Sequence, residues 1–270
     1  MSVEHFFELF LKELETHPSL RSYYKFLESK SGFDFRKAYF CQRLQYISDQ
    51  IKNQQSKIWD IGCGYGTTDI FLAMNGFATY GSTLEFYYKE IPQRLKYWSA
   101  FGDTSLFKAG YENLFDMTQP PENCDYLILQ DTLHHLEPLD EALEICSKAL
   151  KPSGKLIAVE ENGNNLIQSF KLYLQRGNKR IIEQYDETLK KNIVIGNENI
   201  RSLKHWDAAF SSHRLKIDTE HLQYIRLYPP PFFKWKKYEE ALQSEQKIWR
   251  NNSLLKEYFF FGINFTASKN

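Results

Sequence analysis

Between Lys57 and Asn162 the chain alternates apolar runs of strand length with amphipathic stretches, joined by short links. Lys57–Ile61, Phe77–Ser82, Asp125–Gln130 and Lys155–Glu160 read as strands, and Thr67–Asn75 as a helix that Gly76 is placed to stop. Leu139, Ala142, Leu143, Cys146, Ala149 and Leu150 recur at helical spacing, and Lys151-Pro152-Ser153-Gly154 ends that helix. Strand–helix alternation of this kind predicts an α/β fold: a mostly parallel sheet covered by helices on both faces.

The flanks read differently. Phe6, Phe7, Phe10, Leu11 and Leu14 fall on one helical face, as do Phe40, Leu44, Ile47 and Ile51, with a break at His17-Pro18-Ser19. After residue 163 the alternation stalls. Leu166–Lys191 predicts one or two helices, and Ile200–Phe210 another that packs on the sheet. Leu215–Leu227 and Glu257–Ser268 predict two closing strands, separated by the turn Pro229-Pro230-Pro231 and a polar helix over Tyr238–Arg250. The expected organisation is a helical N-terminal cap over 1–52 and a domain over 53–270, with helical insertions at about 164–198 and 228–255. A length of 270 residues suits one domain with insertions better than several.

Composition narrows the function classes. Lys plus Arg and Asp plus Glu each number 34, so the chain lacks the basic surplus that a sequence-independent grip on nucleic acid needs. Its four cysteines form no CxxC, its opening stretch mixes Glu and Lys into the apolar residues, and no apolar run reaches membrane-spanning length. A reduced, cytoplasmic protein without a membrane span is the expectation. The oligomeric state is not legible.

The segment that carries chemistry is Asp60-Ile61-Gly62-Cys63-Gly64-Tyr65-Gly66, at a strand-to-helix turn. Glycines there let a ligand approach the backbone closely. A dinucleotide fingerprint needs G-x-G-x-x-G, but the position that would complete it is Thr67. Asp60 would also repel a pyrophosphate. A ligand with positive charge and no phosphate suits the acid, and S-adenosylmethionine, with its ammonium and sulfonium, is one.

With Asp131-Thr132-Leu133-His134-His135-Leu136 downstream and Leu150-Lys151-Pro152-Ser153-Gly154-Lys155-Leu156 beyond it, the chain resembles the class I S-adenosylmethionine-dependent methyltransferases over about residues 55–162. Residues 199–227 and 256–269 support the resemblance more weakly. It implies a seven-stranded sheet with the last strand antiparallel, and a cofactor lying across the carboxyl ends of the first strands. Gly62, Cys63, Gly64 and Gly66 then pass beside the methionine part, and Asp60 orders the loop and the amino group. The family's ribose-holding acid falls on Thr83, with Glu85 two residues on as its replacement. Glu112 and Asn113 are implied at the adenine side, and Gln130 at the end of the fourth strand.

Methyl transfer displaces a thioether at a sulfonium carbon, so the protein mainly aligns the reacting atoms. An acidic acceptor also loses a proton, for which a neutral imidazole is suited. His135 is the expected base or aligning group, with His134 second and Glu160 a further candidate; loop packing is the alternative role for the pair. Two adjacent histidines do not by themselves supply the converging ligands of a metal site, and none is expected. Aromatic residues make up 16% of the chain. Tyr23, Tyr24, Phe26, Phe35, Tyr39 and Phe40 in the N-terminal cap, and Phe170, Tyr173 and Tyr185 in the insertion, are expected either to roof an apolar pocket or to glue helices to the sheet. The locally basic run of Lys171, Arg176, Lys179 and Arg180 suits a solvated face, an anionic substrate or an acidic carrier protein. The expected function is methylation of a small molecule, free or carrier-bound, on oxygen of an apolar or aromatic metabolite. An RNA or protein methyltransferase and a non-catalytic cofactor-binding relative are the alternatives.

Overall fold

Apolar residues in the central strands alternate between two separate cores, which is why those strands read as unbroken apolar runs. In β5 (Leu150–Glu161), Leu156 and Ala158 face one core while Ile157 and Val159 face the other. The computed structural model describes residues 1–28, 30–84, 86–234 and 238–269. Before β5 the chain runs through α1 (Val3–Thr16), α2 (Pro18–Tyr24), α3 (Lys30–Gln50), β1 (Ile58–Ile61), α4 (Thr67–Ala73), β2 (Thr79–Thr83), α5 (Ile91–Trp98), β3 (Phe107–Tyr111), β4 (Cys124–Gln130) and α6 (Leu139–Ala149). After it come α7 (Leu166–Arg176), β6 (Ile181–Asp186), β7 (Lys191–Gly196), α8 (Leu203–Ser212), β8 (Leu215–Ile225), α9 (Tyr238–Asn251), α10 (Ser253–Phe259) and β9 (Gly262–Lys269).

The seven-stranded sheet has the order β3-β2-β1-β4-β5-β9-β8. β1 to β5 are mutually parallel, and β9 runs antiparallel between β5 and β8. This is the expected fold class. The chain moves outward through β2 and β3, then returns to place β4 on the other side of β1. That reversal opens a crevice above the carboxyl ends of β1 and β4, where open α/β sheets take their ligands.

One core packs α1, α3, α4 and α5 on the first face, with Phe6, Phe10 and Ile47 in the same cluster as Ile128, Ile157 and Val159 of the sheet. The N-terminal helices therefore share the core of the sheet. The other core packs α6 and α8 on the opposite face, around Trp59, Leu143, Trp206 and Phe265. Helix starts follow their caps: the Ser2 hydroxyl accepts from the His5 N–H at 3.2 Å, and the Asn165 carbonyl accepts from the Gln168 N–H at 2.7 Å.

The first insertion is corrected in part. Leu166–Lys191 is not helical throughout: α7 ends at Gly177, whose φ is +58°, and the chain then forms the antiparallel hairpin β6–β7. Ile181, Ile182, Ile193, Val194 and Ile195 favour strand, and the Asp186 carboxylate accepts from the N–H groups of Thr188 and Leu189 to close the turn. The Glu257–Ser268 strand is likewise shorter, because Asn252 caps α10 and β9 begins only at Gly262.

Candidate active site

The glycine loop is pinned to the end of β2. The N–H groups of Gly62 and Cys63 both donate to the Ser82 carbonyl, at 2.7 and 3.1 Å, and the Gly66 N–H donates to the Cys63 carbonyl at 2.7 Å. Gly62 has φ +82°, and a side chain there would strike Thr132 of the loop after β4. Gly64 has φ +53°, and a side chain there would project into open space. The first glycine lets two loops meet, whereas the second leaves room beside the backbone. From behind, buried Arg94 donates to the Tyr65 carbonyl and the Thr67 hydroxyl, both at 2.7 Å.

Asp60 is the last but one residue of β1, just before this loop. It is buried and lines the crevice, and its Oδ1 finds no hydrogen-bond partner among the described residues. Burial, and then the charge of neighbouring Asp69, push the Asp60 carboxyl well above the usual range. Burial pushes Asp69 up to about 6. Neither Asp69 oxygen has a hydrogen-bond partner among the described residues either, and two buried acids side by side at the crevice wall favour a cation nearby.

The other expected cofactor residues come to the same crevice. Cys63, Thr83, Glu112, Asn113 and Gln130 all line it. Gly66 does not; it starts α4 with its Cα against the Phe107 ring. Thr83 is buried at the end of β2, and Glu85 lies outside the described residues. Glu112 accepts a short hydrogen bond from the Tyr80 hydroxyl, so β2 positions it. Asn113 instead serves its own turn, through Phe115 and Asp116. The Gln130 side-chain Oε1 accepts from the Thr68 hydroxyl at 2.8 Å.

The two histidines after β4 are held differently. His134 is buried, and its Nδ1–H donates to Glu160 Oε2 at 2.5 Å. The other Glu160 oxygen accepts from the N–H groups of Thr132 and Leu133, at 3.1 and 2.7 Å. Burial opposes the imidazolium, but the Glu160 charge and hydrogen bond outweigh it and raise His134 to about 9. Glu160 thus lies behind the crevice as the partner of His134. The half-buried His135 donates from Nδ1 to the Gly196 carbonyl at 2.7 Å, which leaves Nε2 as the acceptor nitrogen in the neutral ring.

Sequence reasoning missed Glu198, which follows β7 with φ +52° and brings its carboxylate to 3.7 Å from His134 Nε2 and 4.0 Å from His135 Nε2. These three side chains could offer a metal one ligand atom each, the third donor coming from the insertion. A protonated His134 lies between Glu160 and Glu198 and offsets one of the two carboxylate charges. It missed Arg43 too. This α3 residue forms an ion pair with Asp131, and its guanidinium lies 4.4 Å from the Tyr39 ring centroid. Arg226 covers that ring at 4.3 Å and reaches Glu161 at 3.9 Å. Burial raises the Asp131 carboxyl, but Arg43 overcomes this and holds it below the ordinary value. Arg43 and Asp131 lie 88 positions apart, a separation at which no local pattern signals pairing.

Above the loops lies a cavity of about 660 Å³. Tyr23, Tyr24, Phe26, Tyr39 and Phe40 of the N-terminal helices line it, with Ile193, Val194 and Ile195 of β7. The other expected roof residues are corrected: Phe170 and Tyr173 point outward because α7 is anchored through Leu172 on its opposite side, and Tyr185 is exposed on β6. Phe35 packs against Phe233 in a separate cluster. The cavity suits S-adenosylmethionine on three counts: an unpartnered acid oxygen for an ammonium, open backbone at Gly64, and a volume within the range of small-molecule sites.

The comparisons agree. Residues 59–158 match the family model of a methyltransferase domain. No curated protein matches the chain by sequence. A structure assigned to an S-adenosylmethionine-dependent methyltransferase from Listeria monocytogenes is similar, with a TM-score of 0.56 at 14% identity, covering 87% of this chain and 98% of that one. Phosphoethanolamine N-methyltransferase 2 of Haemonchus contortus, in complex with S-adenosyl-L-methionine, gives 0.56 at 16%, covering 85% and 52%. The [4+2]-cyclase SpnF gives 0.56 at 13%, covering 88% and 82%. At such identities these likenesses carry the fold, while the matched domain, which includes the glycine loop, covers residues 59–158. Residues 59–158 form an S-adenosylmethionine-dependent methyltransferase domain, and S-adenosylmethionine is its cofactor.

Proposed function

We propose that the enzyme methylates a small apolar or aromatic acceptor on oxygen, with His135 as the base. The observation that carries this reading is the position of His135 at the wall of an aromatic-roofed cavity, its Nδ1 committed to the Gly196 carbonyl and its Nε2 left to accept a proton. When bound, the cofactor supplies an activated methyl group on a sulfonium. The chain's own residues do the rest. Asp60 and the glycine loop fix the methionine end, while Glu112 and Gln130 set the depth of the nucleoside. Tyr23, Tyr39 and Phe40 exclude water and hold the acceptor against the reacting carbon. His135 Nε2 would take the acceptor hydroxyl proton and so ready the oxygen for the methyl group. His134, tied to Glu160, keeps the loop in place. A cavity of about 660 Å³ supports a small acceptor over an RNA or protein chain.

Calorimetry with S-adenosylmethionine, followed by labelled-methyl transfer to a panel of phenols, tests the reading. Binding with transfer is expected, and His135→Ala should lower kcat by about 10²–10⁴-fold with cofactor affinity unchanged. Full turnover in that variant removes His135 as base, and binding without transfer to any acceptor favours a non-catalytic relative.

A further inference from the structure

Helix α7 carries its apolar residues on the side facing away from the protein. Leu166, Ile167, Phe170, Tyr173 and Leu174 recur at helical spacing on one stripe and are 55, 56, 64, 57 and 69% exposed. Leu172, on the opposite side, is the buried anchor. The stripe continues onto neighbours: Leu254 and Phe259 of α10, which is tied to α7 through the Asn165 amide on the Phe259 carbonyl, are also exposed. Isolated apolar side chains on a surface are ordinary, but a contiguous set of this size marks an interaction site.

Charge says what the site takes. From Asn162 to Ile182 there is no Asp or Glu, yet the segment holds Lys171, Arg176, Lys179 and Arg180 in a chain of zero net charge. Lys171, Lys179 and Arg180 are exposed around the stripe. Pairing with a second copy through this face would bring like charges together. An amphipathic helix with aliphatic and aromatic residues on one side and cations beside them has the chemistry of a helix lying in a bilayer interface, its cations on the phosphates.

We propose that α7 docks the enzyme on an anionic membrane surface. The same insertion sends Ile193, Val194 and Ile195 into the cavity wall, so docking places the cavity beside the bilayer and suits a lipid-soluble acceptor, a point that rests on the function proposed above. Among the described residues no helix is long and apolar enough to cross a membrane, so the contact is peripheral.

Co-sedimentation of the full chain with phosphatidylcholine vesicles, with and without added phosphatidylglycerol, tests this. The protein should partition onto the anionic vesicles at least about tenfold more strongly than onto neutral ones, and salt should weaken it. F170E/L174E should lower that partition at least about tenfold, and K179E/R180E should lower it on anionic vesicles alone. Both variants should keep the wild-type thermal midpoint and cofactor affinity. Wild-type protein left in the supernatant with both vesicles overturns the proposal, as does undiminished partition of F170E/L174E. A wild-type dimer that F170E/L174E turns into monomer also overturns it, as does binding of an acidic acyl carrier protein without vesicle binding. The assay contains neither cofactor nor acceptor, so its failure is separate from failure of methyl transfer.

Discussion

Adjacent residues in this chain carry different chemistry because their second contacts differ. His134 and His135 share a short loop, but one is a buried cation held by Glu160 and the other keeps a nitrogen for the cavity. The sequence placed both beside the site; the division between them depends on Glu160, 26 positions from His134, and on Gly196, 61 from His135. Asp60 shows the same dependence. Its acid could be read from the strand, whereas its lack of a partner and its proximity to Asp69 could not. That pairing has a pH consequence. Burial and Asp69 raise the carboxyl of free Asp60, and a cationic ligand at Oδ1 would lower it. At a pH between the lowered and the raised values, the free enzyme holds a proton that the complex does not. Binding of S-adenosylmethionine should release protons, and affinity should rise with pH until free Asp60 is ionised. Calorimetry in buffers of different ionisation enthalpy measures this, and an Asp60→Asn variant should abolish the release. Proton uptake on binding would contradict the placement of the ammonium.

At the scale of elements, the N-terminal helices and the glycine loop are joined by one buried ion pair. Glu13 of α1 accepts two hydrogen bonds from Arg94 of α5, both at 2.8 Å, and a third from the Trp98 indole at 2.9 Å. Both charged side chains are fully buried, and Arg94 also holds the carbonyl of Tyr65 in the loop. Glu13→Gln should destabilise by about 3–5 kcal/mol, since it strands a buried guanidinium. Thermal unfolding should fall by on the order of 10 °C. Glu13→Met with Arg94→Met, which removes both charges, should lose less stability yet weaken cofactor affinity through the freed loop. Equal stability loss in the single and double variants would show that packing, not charge, dominates. The hairpin β6–β7 is the element the sequence concealed. Its strands carry little burial to set a pattern: none of β6 is buried, and in β7 only Ile193 and Gly196 are.

Across the whole molecule, the N-terminal 52 residues complete the core. Phe6, Phe10 and Ile47 pack in one cluster with Ile128, Ile157 and Val159 of the central strands. A chain lacking residues 1–52 should therefore bind a hydrophobic dye and show no cooperative thermal transition; a sharp transition near the full-length midpoint would show that the cap is dispensable. The parallel strands and most sheet-packing helices were legible from the sequence. A strand buried on both faces and a helix buried on one each impose a periodicity that local reading detects. So was the cofactor loop, because tight approach to a ligand demands glycine at fixed positions and a cation demands an acid. Tertiary structure alone decided which aromatics roof the cavity and which face solvent. It alone brought Arg43 to Asp131 and Glu198 to the histidines. Those contacts join residues far apart in the chain, and their energy comes from burial and charge pairing that exist only once the sheet has brought its loops together.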